Sequence, residues 1–365
     1  MIVNSQRPPD GFALIVVMVI ITVLSILAGA FAFSMKVETR LARNSGLDSE
    51  MEWLGRSGIE FARFVLANSG GPAGQNVTAL NQFWASGYPS LQETNGPLEG
   101  LSLTDNELGG GRFSIRIRDL ESRMNVNALN PKDPRSRILL DRALTLMGVD
   151  GGETATIGDS ILDWMDADNM ENLSGAETDF YLSHDPPYTA KNGPIDDLTE
   201  LLLVNGMTKE LFWGPAAPFH SGPSASRRAS RGPELISPAL PVGFVDLFTC
   251  MGLNRVNVNT APAMVLQLVL GVDETIAQNI IRVRSGPDEA EGTEDDMPFM
   301  NPGMLMTAVP GMNPQTPMTG LNLVATQSAT FEVTVDTRIG NYNRQFVALL
   351  RRDPQQVQVL QFSWK

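Results

Sequence analysis

Cysteine and histidine are nearly absent from this sequence. Its 365 residues include one cysteine, Cys250, and two histidines, His184 and His220. A lone cysteine permits no disulfide within the chain, and two histidines exclude an imidazole-rich metal site. If the folded part is periplasmic, packing or a bound metal must stabilise it instead. We expect Cys250 to be a small buried residue rather than a reactive one.

Positive charge is also scarce. The chain has 27 lysines and arginines against 41 aspartates and glutamates, a formal charge of −14, which repels nucleic acid and anionic lipid. Neither a GxxxxGK[ST] nor a GxGxxG phosphate-binding motif occurs. Ser183, His184 and Asp185 are the residue types of a catalytic triad, but neighbours in sequence do not have triad geometry. We predict no catalytic residues, no enzymatic activity and no nucleic-acid partner.

One long stretch carries no charge. The residues from Phe12 to Phe33 would span roughly 33 Å as a helix, enough to cross a bilayer core of about 30 Å. Three interpretations compete: a secretory signal peptide cut near Ala32, a plain membrane anchor, and a prepilin-like signal cut after Gly11 that leaves the helix on the mature protein. The apolar core is too long for the first, and Gly11 followed by Phe12-Ala13-Leu14-Ile15 favours the third. The flanking charges do not fix the orientation of the helix.

Beyond the apolar run the helical pattern continues. Apolar residues recur at steps of three and four over 34–68, and Ser69-Gly70-Gly71-Pro72 ends the helix. A short helix is expected around Val77–Trp84. Alternating residues predict four strands, of which the last three form an antiparallel meander: Arg112–Arg118, Thr330–Arg338, Arg344–Arg352 and Gln356–Trp364.

An internal repeat of the form R-x-N-V-N follows the first predicted strand. The segment Arg123–Asn127 recurs as Arg255–Asn259, and each copy leads into a predicted helix, over about 135–147 and 262–270. Helix hairpins with glycine turns are predicted at Gly148, Gly206, Gly271 and Gly311. They resemble helix-hairpin-helix motifs, which bind DNA phosphates through the amides of the turn. Few basic residues lie near these turns, so we expect them to be the scaffold of a helical domain.

Carboxylates cluster after the first of these hairpins. Asp166, Asp168 and Glu177 stand at positions one, three and twelve of an EF-hand spacing, and Asp163 is a further candidate ligand. Position six, normally glycine, is Glu171, so the standard loop geometry is in doubt. Hard oxygen ligands favour calcium over zinc. A solvated acidic turn is the alternative, and we predict a structural calcium site.

Together these features resemble one family, the minor pseudopilins of the GspK type in type II secretion systems. The resemblance rests on the Gly11/Phe12 junction, both R-x-N-V-N elements, and five further segments: Asp163–Asp168, Gly175–Glu177, Asp185–Tyr188, Leu201–Met207 and Asn257–Pro262. It implies an α+β, type IV pilin-like fold, in which a long N-terminal helix packs on a small antiparallel sheet. A large all-helical domain with helix-hairpin-helix-like repeats would be inserted between the strands.

The resemblance also implies the domain boundaries. These are a prepilin leader (1–11), a transmembrane helix (12–33), its amphipathic continuation (34–68), a pilin-like domain in two parts (69–128 and 328–365) and the inserted helical domain (129–327).

The implied function is a place at the tip of a periplasmic pseudopilus, which the protein starts and caps for protein export across the outer membrane. The implied partners are other minor pseudopilins of the GspI, GspJ and GspH types, prepilin peptidase and the inner-membrane secretion platform. Prepilin peptidase would cut after Gly11 and methylate Phe12. The chain would cross the inner membrane once, with its body in the periplasm and calcium bound in the insert.

The fifth residue after the predicted cut supports a tip position. Ordinary pilins carry a glutamate there, thought to pair with the terminal amine of a neighbouring subunit, whereas this chain has Val16. GspK-type proteins also lack the glutamate, as suits a subunit with none above it, because an unpaired carboxylate in lipid is costly. Two alternatives remain. A minor type IV pilin would not usually carry the insert, and a DNA-uptake protein would need basic hairpin turns.

Overall fold

The computed structural model of the chain describes residues 10–69, 77–88, 96–216, 241–312 and 320–364. Most of the predicted leader and His220 lie outside these ranges. The side chain of Phe12 lies outside the description as well, and Gly11 is described only as part of the helix backbone.

Helices and strands are distributed unevenly along the chain. The helices are α1 (Asp10–Asn68), α2 (Phe83–Ser86), α3 (Pro134–Leu146), α4 (Gly151–Met165), α5 (Thr178–Leu182), α6 (Lys209–Trp213), α7 (Phe244–Leu247), α8 (Ala263–Leu270), α9 (Glu274–Arg284) and α10 (Leu305–Ala308). The strands are β1 (Asn106–Leu108), β2 (Gly111–Asp119), β3 (Met124–Asn125), β4 (Phe248–Thr249), β5 (Val256–Asn257), β6 (Val324–Ala325), β7 (Thr330–Ile339), β8 (Tyr342–Arg352) and β9 (Val357–Trp364).

The N-terminal helix α1 is one continuous element of 59 residues. Its segment Ala13–Thr39 is exposed and has a mean hydropathy of 2.9, so it is long and apolar enough to cross a membrane. Further along, an apolar stripe that includes Met51, Leu54 and Val65 is buried against the sheet. The helix thus changes from an exposed apolar surface to one buried against the sheet along its length.

Helix α1 packs on a five-stranded antiparallel sheet in the order β1-β2-β7-β8-β9. The close approach depends on glycine, because a Cβ atom on Gly55 would overlap the ring of Phe346 and one on Gly58 would overlap Val335. The predicted fold class, a long helix on a small antiparallel sheet with helices elsewhere, is confirmed. The short strand β1 was not predicted.

The helical insert leaves the sheet between two strands that are direct neighbours, β2 and β7. It has its own hydrophobic core and holds α3 to α10, together with two short parallel pairs, β3 with β4 and β5 with β6. Its root lies beside the end of α1, where Arg352 of β8 donates to the carbonyls of Ser69 and Ser328. The insert is therefore at the end of α1 that is remote from the apolar segment. The segment 129–327 carries a formal charge of −14, which equals the formal charge of the whole chain.

Two buried carboxylates join the insert to the sheet. Asp119, the last residue of β2, accepts a hydrogen bond from Ser328 Oγ at 2.6 Å. Glu121 accepts from the backbone N–H groups of Leu253 at 2.9 Å and of Thr330 at 3.0 Å. Burial, together with the charge of Asp119, raises the pKa of Glu121 to about 7. The donors come from both the insert and β7, so these bonds fix one part relative to the other.

The two R-x-N-V-N copies share three hydrogen bonds of their asparagine side chains. The side chain of the last asparagine in each copy donates to the carbonyl of one distant residue and accepts from the N–H of the same residue. Asn127 forms this pair with Ile195 at 2.9 and 2.8 Å, and Asn259 forms it with Phe299 at 3.0 and 2.8 Å. The side chain of the first asparagine accepts from the N–H of the last one, at 3.0 Å in both copies. The insert is therefore built from two copies of one structural unit.

We predict that Asn259→Ala lowers the free energy of unfolding by about 2–5 kcal/mol. The substitution leaves the buried N–H and C=O groups of Phe299 without partners, at about 1–3 kcal/mol each. Urea unfolding of the chain in detergent measures the change. The exposed Asn343 of β8 is the matched control, since Asn343→Ala should change stability by less than about 0.5 kcal/mol. Equal effects of the two substitutions would contradict the role of the asparagine pairing.

Candidate metal centre

Three carboxylates converge where α4 ends and α5 begins. Oxygen atoms of Asp163, Asp166 and Glu177 all lie within 4.8 Å of one another. Asp163 is in the last turn of α4, Asp166 follows the end of that helix, and Glu177 directly precedes α5. Three side chains of like charge thus come together where the loop between the two helices begins and ends.

Two of the three carboxylates, Asp163 and Glu177, are buried, and Asp166 is half-buried. Glu177 is 2% exposed, and among the described residues neither of its carboxylate oxygens has a hydrogen-bond partner. Burial, with the charges of Asp163 and Asp166, raises the pKa of Glu177 to about 7. Burial also raises the pKa of Asp163 to about 6. Because a buried anion without a partner is costly, this donor set fits a bound cation.

The loop is shaped around these carboxylates. The backbone N–H of Asn172 lies 3.2 Å from both carboxylate oxygens of Asp163, and its side-chain amide donates to the same group. The N–H of Ser174 donates to Asp159 at 3.1 Å. A Cβ atom on Gly175 would overlap the carboxylate of Asp163, so glycine is required for the loop to close over the cluster.

Of the four predicted ligands, the structure brings together Asp163, Asp166 and Glu177 but not Asp168. The carboxylate of Asp168 accepts from the N–H of Met170 at 3.2 Å and lies 3.7 Å from Lys132 Nζ. The chain turns locally at this residue, and the turn holds the side chain outside the cluster. Asp163 was only a further candidate in the sequence. It is fully buried at the end of α4, and this burial depends on tertiary packing, which the spacing of acidic residues along the sequence does not predict.

A cation at this position would have a mechanical role. The oxygen donors and the high negative charge suit a hard divalent ion such as calcium or magnesium. Such an ion would tie the end of α4 to the start of α5. The same two helices already meet through the edge contact of Trp164 with Tyr181, whose ring centroids are 5.2 Å apart.

The second structural unit has an acidic loop at the corresponding place, but a side chain supplies the cation there. The two loops correspond because each is closed by the same kind of backbone hydrogen bond. In the first unit the N–H of Gly193 donates to the carbonyl of Trp164, and in the second the N–H of Met297 donates to the carbonyl of Arg284. Arg284 is 4% exposed, and its guanidinium donates to Glu291 at 2.7 Å and to the carbonyl of Val258. Glu291 is therefore neutralised by the chain itself.

The glycines of the four predicted hairpin turns all have left-handed backbone conformations. Their φ angles lie between 71° and 88°, at Gly148, Gly206, Gly271 and Gly311. Around Gly271 the chain bends by 120° between α8 and α9. That these are helix-hairpin-helix motifs stays a prediction.

The residues of the triad type do not form a triad. Ser183 Oγ donates to the carbonyl of Phe180, and His184 Nδ1 lies 3.2 Å from the same oxygen. Cys250 is half-buried rather than buried, and its thiol lies 3.4 Å from the carbonyl oxygen of Asp196. Burial raises the pKa of this thiol, which disfavours the reactive thiolate.

The fold and the insert define the class as a pilin-like subunit that carries a large, mainly helical domain between two neighbouring strands. Residues 122–213 match the family model of type II secretion system protein K. Type II secretion system protein K of Pseudomonas aeruginosa is 27% identical over 288 residues, which cover 76% of this chain and 73% of that protein. The protein of that name from Klebsiella pneumoniae is 26% identical over 211 residues, which cover 55% of this chain and 59% of the other.

The fold has a close counterpart among solved structures. A chain in the crystal structure of the GspK-GspI-GspJ complex from the enterotoxigenic Escherichia coli type 2 secretion system matches with a TM-score of 0.64, at 18% identity. The match covers 89% of this chain and 99% of that chain. The predicted resemblance to the GspK family is therefore confirmed.

We predict that Gly175→Ala disrupts the metal centre, because the added methyl group displaces the carboxylate of Asp163. Overpacking of this kind costs about 1–3 kcal/mol. Thermal unfolding measures the loss. The control is Gly152→Ala in α4, where no atom lies within 4 Å of the added carbon, so better helix propensity should raise stability by about 0.5–1 kcal/mol. If both substitutions stabilise the chain, the loop does not close over Asp163 as described.

Proposed function

We propose that this chain is the minor pseudopilin at the tip of a type II secretion pseudopilus, where it starts and caps the filament. The observation that carries the proposal is the position of the insert. A domain rooted beside the remote end of α1 occupies the space that the next subunit above would need. The similarity to type II secretion system protein K supports the proposal, and so does Val16, which leaves no carboxylate to be paired by a subunit above.

The proposed partners follow from this role. Other minor pseudopilins of the GspI, GspJ and GspH types would pack beside and below the chain, on the inner-membrane secretion platform. Prepilin peptidase would cut after Gly11 and methylate the new amine of Phe12. The helix would then anchor the chain in the inner membrane with the body in the periplasm.

The proposed role is structural rather than enzymatic, and the proposed metal is calcium held by Asp163, Asp166 and Glu177. Bound calcium would supply positive charge to two buried carboxylates and a half-buried one, and would so stabilise the loop between α4 and α5. A role in DNA uptake is disfavoured by the charge of the insert, since phosphate binding depends on positive charge.

Calcium should raise the melting temperature of the chain, and more at about pH 8 than at about pH 5.5. In the metal-free fold the pKa of Glu177 is about 7, above the ordinary value of 4.5. The stability contributed by its proton is therefore present below pH 4.5 and lost as the pH rises through 7. Calcium replaces the missing proton, so its effect is larger where the carboxylate is ionised. Thermal scans with calcium and with a chelator measure the difference.

Two substitutions in the same loop sharpen this test. Glu177→Gln should abolish the calcium-dependent shift and stabilise the metal-free chain at about pH 8, because it removes a buried charge. Glu171→Gln removes an exposed charge and should leave the calcium-dependent shift unchanged. A chelator that has no effect at either pH would count against the calcium site but not against the tip position.

The mature chain should begin at an N-methylated Phe12. We expect this because the prepilin-like signal ends at Gly11 and the apolar helix must remain for membrane anchoring. Mass spectrometry of a membrane fraction from cells with prepilin peptidase identifies the first residue. An intact Met1 would indicate a plain anchor, and a start near Phe33 would indicate a secreted protein, so either result would sink the pseudopilin assignment.

A further inference from the structure

Two carboxyl groups meet at the root of the insert. Asp119 and Glu121 are both buried, and their side chains form a hydrogen bond with each other. An ionised carboxylate only accepts hydrogen bonds, so a bond between two carboxyl groups requires a proton on one of them. Two like charges in contact also repel each other strongly in a buried site. The geometry therefore suits one proton and one negative charge.

The surrounding donors indicate that Glu121 holds the proton. Asp119 accepts from the backbone N–H of Glu121 at 2.9 Å and from the hydroxyl groups of Ser328 and Thr260. Glu121 accepts from one backbone N–H at each of its oxygens. Because hydrogen bonds to the charged form stabilise an anion, the group with more donors is the better place for the charge. Asp119 is that group.

One arginine balances the charge of the pair without touching it. Arg352 donates to the hydroxyl of Thr78 and to the carbonyl of Ser328, and its charge interacts with both acids. With Glu121 protonated, the arginine and Asp119 cancel each other. Loss of the proton leaves one negative charge at the root without compensation, and a buried charge without a partner is costly.

The other charged side chains near the root have other partners or lie in solvent. Arg118, Arg255 and Arg351 are exposed. Arg123 interacts with Asp246 and Glu332 instead. The groups that donate to the two carboxylates are neutral N–H, hydroxyl and amide groups. The charge balance of the root therefore depends on the proton of the pair.

We propose that Asp119 and Glu121 form a proton-dependent latch that holds the insert on the sheet. With one proton between them, the two groups bind donors from the insert and from β7 at the same time. When the proton leaves to solvent, the two charges repel each other and the root opens to water. The hold of the insert on the sheet then depends on the pH of the medium. The latch is remote in sequence from the metal centre and does not rest on the tip function.

The latch should weaken as the pH rises from about 4.5 to about 7. The pKa of Glu121 is about 7 in the closed root, whereas its ordinary value is 4.5. The stability contributed by the proton is therefore fully present below pH 4.5 and lost as the pH rises through 7. Between these values the equilibrium constant for opening should rise about tenfold per pH unit, because one proton is released. Above pH 7 it should level off.

Hydrogen exchange of the full chain in detergent tests the proposal. Amide protection, corrected for the intrinsic pH dependence of exchange, measures an opening equilibrium even when the open form is rare. The N–H groups of Leu253 and Thr330, which donate to Glu121, should lose protection at least about tenfold between pH 5.5 and pH 8. The N–H of Phe299, which donates to Asn259 within the insert, should keep its protection.

Substitutions assign the effect to the pair. Glu121→Gln replaces the titrating group by a neutral amide, so protection at Leu253 and Thr330 should no longer depend on pH. Its level should be lower, because the amide can accept from only one of the two N–H groups. Glu99→Gln removes an exposed carboxylate and should leave the pH dependence unchanged. If Glu121→Gln does not fold, Asp119→Asn tests the same point, since loss of the neighbouring charge should move the transition about one pH unit lower.

Three results would overturn the proposal. Protection at Leu253 and Thr330 that is the same at pH 5.5 and pH 8 would mean that no proton holds the root closed. An unchanged pH dependence in Glu121→Gln would assign it to another group, such as Glu177. An equal loss of protection at Phe299 would indicate unfolding of the insert rather than opening of its root. The tip function survives all three results, because the first residue of the mature chain tests it separately.

Discussion

A buried carboxylate needs a donor or a cation, and this requirement governs both ends of the insert. At its root, Asp119 and Glu121 find hydroxyl and N–H donors from the insert and from β7, so the insert is held in one position on the sheet. At the loop between α4 and α5, the oxygens of Glu177 find no donor among the described residues. The chain offsets this desolvation cost at the root of the insert, whereas at the loop the proposed ion would offset it. The hydrogen bonds at the root fix the position of the insert on the sheet, and the proposed ion would make part of the stability of the loop depend on the metal content of the medium.

The two units of the insert differ in how the negative charge of their acidic loops is balanced. In the second unit the buried guanidinium of Arg284 pairs with Glu291, so its loop carries its own cation. In the first unit the equivalent stretch of helix and loop offers Asp163, Asp166 and Glu177 and no buried arginine. An ion would therefore act locally, on α4 and α5, while the second unit and the sheet keep their packing without it. With the proposed ion, one loop would respond to a metal while the attachment of the insert to the sheet would stay unchanged.

Patterns along the chain predicted the large elements and failed where structure depends on distant partners. The long helix was predicted to end at residue 68, and the three strands of the C-terminal meander were found with shifts of a few residues, because their apolar periods are strong. The short helix expected around Val77–Trp84 is instead Phe83–Ser86, and the two-residue strands β3 to β6 exist only through their pairing. At the candidate metal centre, the acidic cluster was visible in the sequence, but the position of Asp168 outside the cluster was not. The local turn at Asp168 and the burial of Asp163 determine which carboxylates come together, and neither can be read from the sequence.

The arrangement of charge and apolar surface gives the two ends of the molecule different capacities for contact. The insert, with the full charge of −14, lies at the end of α1 remote from the apolar segment, where it repels an anionic bilayer and any second copy of itself. The flank of α1 beside β9 is neutral and exposes apolar side chains. In the proposed tip role, neighbours would pack at the side of the chain and along its apolar helix, and the insert would occupy the position above. If subunits are added to the filament from the membrane, a chain in the proposed first position needs free surface only at its side and below, because every later subunit would join from below.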